Sequence, residues 1–316
     1  MEERIKLVRR EIPVDTTDAE LAAYSRAVRG LPIGEHRLGD EALQEELRAI
    51  IEDVFVGARP AISAVKGLAD GNAAGAMPAY FLLKGLRFDR LACEPEADIR
   101  GSFVVGLSSF WGKPALGSYH DPNGKFAYRH VKARPVGLGE PLTLLNSTRD
   151  GFAHTDSAFK PRPEPLFALF MARPARDGGD TLIWSARALA DWIGGQPGGS
   201  ATLEMMRMLE VPFVGSVLTA DKVIRKPILI DGSNDRIRYK RDAIEDGAKA
   251  LGRSLTSDER HIMDTLDEAT RVPDLTIRFG MNGGDAVVLD NHRTLHSRSA
   301  YADVERHVLK TTLYTN

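Results

Sequence analysis

The sequence predicts a mixed α/β chain in which a helical layer flanks a sandwich or jelly roll of short strands. Two features carry that expectation. Capped stripes of apolar residues at helical spacing run through the first hundred residues. From about Phe126 to the C-terminus, seven short apolar runs follow one another with Gly, Pro and Asp between them.

In chain order, Thr17-Asp18-Ala19-Glu20 is a capping-box pattern that opens a helix bearing Leu21, Tyr24 and Val28. Asp40 caps a second helix, with Leu43, Leu47, Ile50 and Val54 on its inner face. Residues 79–86 read as a buried strand closed by Gly85, whereas the pattern from Phe103 to Leu107 suits a helix or a strand equally. The seven later runs are Leu166 to Met171, Thr181 to Trp184, Val211 to Val217, Ile228 to Ile230, Thr276 to Phe279, Ala286 to Leu289 and Leu309 to Tyr314. Helices are expected at Ser185 to Ile193, Asp242 to Leu251 and Ser257 to Ala269, the last announced by the cap signal Thr256-Ser257-Asp258-Glu259. The stretch from Gly194 to Gly199 reads as a flexible loop, too short to separate domains.

Composition narrows the function. Over 316 residues, 42 basic and 44 acidic side chains leave a net charge of −2. No long basic run offers the clustered cations that nucleic-acid binding needs, so no nucleic-acid partner is expected and small molecules are. The single cysteine, Cys93, excludes an internal disulfide framework and cysteine-rich metal sites; it reads as inert packing in a reducing compartment. No stretch approaches the roughly 18 apolar residues of a membrane span, and a cytoplasmic protein without a membrane partner is expected. The sequence leaves a homo-oligomer open.

Chemistry concentrates in two places. In Phe152-Ala153-His154-Thr155-Asp156-Ser157, an imidazole and a carboxylate stand two residues apart, and in extended chain they project from one face toward a common cation. Near the C-terminus, residues 284–298 read as a turn, a buried strand, a tight turn and a second strand, a hairpin able to deliver His292 or His296. Two histidines and one carboxylate that leave open coordination positions form the facial triad of non-haem Fe(II) oxygenases. The same donors suit Zn2+ in a hydrolase, and a jelly-roll protein that binds a ligand without catalysis is a third reading.

His154-Thr155-Asp156, then Gly178-Gly179-Asp180-Thr181-Leu182, then Asp290-Asn291-His292-Arg293-Thr294-Leu295-His296 with Arg306 beyond resemble the TauD/TfdA family of Fe(II)/2-oxoglutarate-dependent dioxygenases. The closing string is similar to the gamma-butyrobetaine hydroxylase and clavaminate synthase-like branches. The resemblance covers Thr143 to Thr315 and implies one dioxygenase domain over residues 1–316 with a cupin-like double-stranded β-helix core. Residues 1–110 would form its helical flank, 126–316 its jelly roll, and an insert near 190–270 would lie over the active site.

Carried onto this chain, the resemblance makes His154, Asp156 and His296 the iron ligands and leaves His292 structural. It makes Thr181 and Arg306 the 2-oxoglutarate-binding pair, with O2 as the other cosubstrate. An arginine suits the distal carboxylate because its planar fork donates two parallel hydrogen bonds. Lys310, four residues past Arg306, would meet a substrate carboxylate or phosphate, as a second arginine does in sulfonate-specific relatives. Arg298 would line the pocket or brace the iron ligands, and Asn146, Ser147 and Thr148 fall in the loop that carries polar substrate contacts in amino-acid-hydroxylating relatives. Arg238, Tyr239 and Arg241 fall in the insert that closes over substrate.

The implied reaction is hydroxylation of an unactivated C–H bond in a small polar, amino-acid-like metabolite, with release of succinate and CO2. Asp156 favours hydroxylation or desaturation over chlorination, since iron halogenases carry Gly or Ala at that position. The chain departs from both branches, because clavaminate synthase-like enzymes carry Glu where Asp156 stands and lack the Gly-Gly-Asp-Thr form. No substrate is therefore inherited.

Overall fold

The structure is a computed structural model that describes residues 10–34, 37–69, 79–93, 98–116, 126–133, 148–215 and 218–315. A short strand β1 (Glu11–Pro13) precedes the helical layer of α1 (Asp18–Val28), α2 (Glu41–Val54) and α3 (Arg59–Ala69). The caps behave as read: the Thr17 hydroxyl accepts from Glu20 N while Glu20 reaches back to Thr17 N, and Asp40 accepts from Ala42 N. Strand β2 (Tyr80–Lys84) ends at Gly85, whose φ of 87° needs a residue without a Cβ.

The ambiguous run from Phe103 lies in helix α4 (Ile99–Ser108). Asp98 caps it by accepting from Gly101 N at 2.7 Å, and every residue from Gly101 to Ser108 is buried. A helix buried all round shows no polar face, so no 3.6-residue alternation marks it. Its Phe103 packs edge-on against Tyr24 and Phe55 and stacks with Phe88, which in turn meets Phe170 of the sheet.

After β3 (Lys113–Pro114) and β4 (Arg129–Lys132) come β5 (Leu166–Arg173), β6 (Thr181–Ser185), α5 (Ala186–Gly194), α6 (Gly199–Met208), β7 (Val211–Phe213) and β8 (Ile224–Lys226). Helices α7 (Arg241–Ala250) and α8 (Ser257–Thr270) lead to β9 (Ile277–Phe279), β10 (Ala286–Asp290), β11 (Thr294–Arg298) and β12 (His307–Tyr314). Helices α3 and α6 were not expected, and α6 begins at Gly199, where the predicted loop ends. The run Ile228 to Ile230 is not a strand; Leu229 makes one bridge to Ile237 and a 3-10 turn follows.

The larger sheet has the order β1-β2-β10-β5-β12-β3, with β4 also paired to β12, and the smaller has the order β11-β6-β9. Alternate residues of the larger sheet enter two different cores. Ala168, Phe170, Val288, Leu309 and Leu313 meet the helical layer, while Phe167, Met171, Val287, Leu289 and Val308 face the smaller sheet's Ile183 and Phe279. Burial on both faces explains why these strands read as continuous apolar runs rather than alternating ones. Helices α5 to α8 with β7 and β8 build a third core that reaches Ala158, Trp184 and Leu295.

The expected hairpin at residues 284–298 is not one. β10 pairs with β2 and β5 in the larger sheet, whereas β11 pairs with β6 in the smaller, so residues 291–293 carry the chain across the sandwich. Among the described residues no helix is long and apolar enough to cross a membrane.

Candidate metal centre

His154, Asp156 and His296 converge between the two sheets, each offering one donor atom, all within 4.8 Å of one another. His154 Nε2 and His296 Nε2 each lie 3.9 Å from Asp156 Oδ1, and the two rings are 4.3 Å apart between centroids. His154 Nδ1 is 2.8 Å from the Phe152 carbonyl. A carbonyl only accepts, so Nδ1 carries the proton and Nε2 presents its lone pair to the centre. The three donors stand close enough together for one cation to be held by all of them.

The electrostatics suit deprotonated ligands. Burial pulls His154 down to about 4 and pulls His296 well below its ordinary value, which keeps both rings neutral. Burial alone would raise Asp156, but the cation of Lys310, then the imidazole of His296 when it is protonated, the cation of Arg129 and the protonated imidazole of His154 outweigh it and hold the carboxyl well below the usual range. His296 Nδ1 is buried without a hydrogen-bond partner among the described residues, and the Phe167 ring packs at 4.4 Å from the imidazole. The donor set and its charge state fit a divalent cation with open positions.

Two cations that face each other across the β4–β12 ladder, Arg129 and Lys310, both approach Asp156. Lys310 is 5% exposed, forms an ion pair with Asp156 Oδ2 and lies 4.5 Å from the Phe167 ring centre. Burial lowers its ammonium to about 8, which leaves it protonated at neutral pH. Arg129 Nη2 stands 4.0 Å from Asp156 Oδ1. Arg129 was missed in the sequence because β4 is short and carries no motif.

Arg306 is 4% exposed, and its Nε has no hydrogen-bond partner among the described residues. Among the described residues it meets no carboxylate; its guanidinium lies 5.5 Å from the Tyr301 ring, and burial lowers it to about 10. It rests against the Gly178-Gly179 turn that opens β6. Both glycines have positive φ, and a Cβ on Gly178 would sit 2.1 Å from the Ala300 carbonyl oxygen. Thr181 is buried, but its hydroxyl is 3.6 Å from the Met281 sulfur rather than on Arg306.

The other sequence candidates that the structure describes make the following contacts. Arg298 donates to the Arg149 carbonyl, and its guanidinium lies 4.7 Å from the Tyr301 ring. Arg238 donates to the carbonyls of Ala158, Lys160 and Pro161; the Tyr239 hydroxyl bonds to Asp267; Arg241 joins Glu245, Asp264 and Asp267. His292 sits in the crossover turn with Nδ1 3.0 Å from Arg236 Nη2. Thr148 contributes its carbonyl to Tyr301 N, while Asn146 and Ser147 lie outside the described residues. Cys93 is exposed rather than packed, and desolvation with nearby Asp98 pushes its thiol up, away from reactivity.

Residues 223–312 match the family model of the taurine catabolism dioxygenase TauD, TfdA family. No curated protein is a significant match by sequence. Among solved structures, an asparagine oxygenase in complex with Fe(II), 2S,3S-3-hydroxyasparagine and succinate superposes with a TM-score of 0.73 at 15% identity, over 97% of this chain and 94% of that one. The non-heme iron oxygenase OrfP in complex with Fe, succinate and (3R,4R)-dihydroxy-L-Arg gives 0.68 at 16% identity, over 96% and 94%. The same oxygenase with Fe and alpha-ketoglutaric acid gives 0.67 at 15%, over 96% and 95%. The chain has the jelly-roll fold of these non-haem iron oxygenases, and the stretch that matches the TauD/TfdA family model, residues 223–312, contains both His296 and Arg306.

Proposed function

We propose that the protein is an Fe(II)/2-oxoglutarate-dependent dioxygenase that hydroxylates an unactivated C–H bond of a small, polar, amino-acid-like metabolite. The observation that carries this reading is the combination of three converging donors with a buried arginine that no carboxylate of the described residues answers. His154, Asp156 and His296 would hold the iron, and Arg306 would take the distal carboxylate of 2-oxoglutarate, with Thr181 of β6 as its partner in that role. When bound, iron with 2-oxoglutarate supplies the oxidising chemistry, in which substrate, 2-oxoglutarate and O2 give hydroxylated substrate, succinate and CO2.

The protein's own part is to bind and orient. Asp156 keeps one oxygen toward the two imidazoles and the other on Lys310. Lys310 and Arg129 put positive charge beside the centre, which favours a substrate with an acidic group, as an amino acid has. The solved neighbours that bind hydroxylated asparagine and arginine support the same substrate class. Residues 1–316 act as one domain in this reading, in the reducing cytoplasm that a single exposed thiol tolerates.

The test is succinate release and O2 uptake against free amino acids, sulfonates, betaines and nucleotides. Turnover that requires Fe(II), O2 and 2-oxoglutarate together is expected. Turnover of any substrate without O2 and 2-oxoglutarate would point to metal-dependent hydrolysis instead.

A further inference from the structure

Each residue of the metal-binding segment 154–156 has its own backbone partner. His154 pairs through both main-chain groups with His296, at 3.1 and 3.0 Å. Thr155 N donates to the Tyr239 carbonyl at 2.7 Å, and Tyr239 N donates to the Thr155 hydroxyl at 3.1 Å. Among the described residues Asp156 has no strand opposite it, and the chain turns away at Ser157, whose φ is 53°. Its partner is a side chain. Asn291 Oδ1 accepts from Asp156 N at 2.8 Å, and Asn291 Nδ2 donates to the Asp156 carbonyl at 3.1 Å and to the Glu164 carbonyl at 2.8 Å.

The amide thus imitates one rung of a β-ladder. Asn291 is 0% exposed, and its own N–H is held by the Pro165 carbonyl at 2.8 Å. It stands in the turn that carries the chain from β10 to β11, five residues before His296. Beyond the His154–His296 bridge, one side chain therefore ties the Asp156 backbone to the turn that leads into the element delivering the distal histidine. Without it, nothing else in the described structure opposes the pull of Lys310 on the Asp156 side chain by holding the Asp156 backbone.

The structure assigns Asn291 the role of a positioning residue that sets the Asp156 carboxylate at the metal centre, an inference that rests on the metal-binding reading above. Groups that orient metal ligands govern affinity by about 10- to 100-fold. Asn291→Ala removes all three bonds. Asn291→Asp keeps the acceptor for Asp156 N–H but turns a carboxylate oxygen against two carbonyls.

The experiment is titration of the metal-free protein with Co2+, followed by its visible absorption, beside a thermal melt of each variant. Leu203→Ala, a core truncation in α6, which supplies none of the three donors, is the control for lost stability. The expected result is a Co2+ Kd raised on the order of tenfold or more in both Asn291 variants, with Leu203→Ala at the wild-type Kd despite a lower Tm. Wild-type Co2+ affinity in Asn291→Ala would overturn the assignment. If that variant does not fold, Asn291→Asp decides on the same criterion. Failure of the wild-type protein to bind Co2+ would instead overturn the metal centre itself.

Discussion

His154 and His296 are joined through their backbones: each donates its N–H to the other's carbonyl, at 3.1 and 3.0 Å, as an isolated antiparallel bridge. Residues directly opposite in such a pair project on one face with their Cβ atoms about 5 Å apart. The two imidazoles therefore reach one point before any cation arrives, although 142 positions separate them in the chain. The geometry needs only the carboxylate of Asp156 to complete it.

Asp156→Ala removes the one anionic donor and leaves two neutral imidazoles beside Lys310 and Arg129. We expect it to bind Fe2+ or Co2+ at least 100-fold more weakly, with no succinate formed. Oxygen-dependent turnover at the wild-type rate in this variant would show that the metal sits elsewhere.

The metal pair His154 and Asp156 was legible because two residues in extended chain suffice to describe it. His296 was legible only through the motif around it, since its opposite partner lies in a distant segment. The crossing of the chain at residues 291–293 was hidden: a strand, a tight turn and a strand look alike whether the second strand returns to the same sheet or leaves for another. Helix α4 was hidden by complete burial, and Arg129 by the absence of any local pattern around it. Asn291 was visible as part of a motif, but its three bonds reach residues 127 and 135 positions away, which no local reading finds.

Lys310→Met keeps much of the volume and the contact with Phe167 but removes the cation paired with Asp156. Metal affinity should hold or tighten, because a competing positive charge is gone. The substrate KM should rise by about tenfold, equivalent to about 1.4 kcal/mol, while the 2-oxoglutarate KM stays put. A rise in the 2-oxoglutarate KM alone would move Lys310 from the substrate to the cosubstrate.

Phe103 bridges the helical layer to the sheet through Phe88 and Phe170. Phe103→Ala should cost about 3–5 kcal/mol of stability. Helical and near-ultraviolet circular dichroism should still melt together, since one core joins residues from Val14 to Leu313. Two separate transitions would contradict a single cooperative unit and favour a break near residue 125.

His307 stacks on His130 with a 2.8 Å hydrogen bond between their rings. Burial, then Lys132, His130 and Arg100, hold it down to about 3. The unfolded imidazole takes up its proton near pH 6.5, so below that pH the unfolded chain binds a proton that the folded chain refuses. Stability is full above pH 6.5 and falls as pH drops toward 3. The Tm of His307→Asn should decline less steeply than wild type between pH 7 and pH 5. Equal slopes would mean that His307 takes up its proton in the folded protein as readily as in the unfolded chain.

Arg306 offers the sharpest test of the cosubstrate site. It is buried against Tyr301 and the Gly178-Gly179 turn, and its Nε is unpaired among the described residues. If its guanidinium receives the distal carboxylate of 2-oxoglutarate, Arg306→Ala strands that carboxylate in a partly dry pocket, a loss of about 2–5 kcal/mol. The 2-oxoglutarate KM should then rise by about 30-fold or more. Co2+ affinity should barely move, because His154, Asp156 and His296 are untouched. Arg306→Lys should recover only part of the loss, since a point charge cannot reproduce two parallel donors. Unchanged 2-oxoglutarate dependence in Arg306→Ala would refute the assignment, and Arg298, which shares the Tyr301 ring, would be the next residue to test.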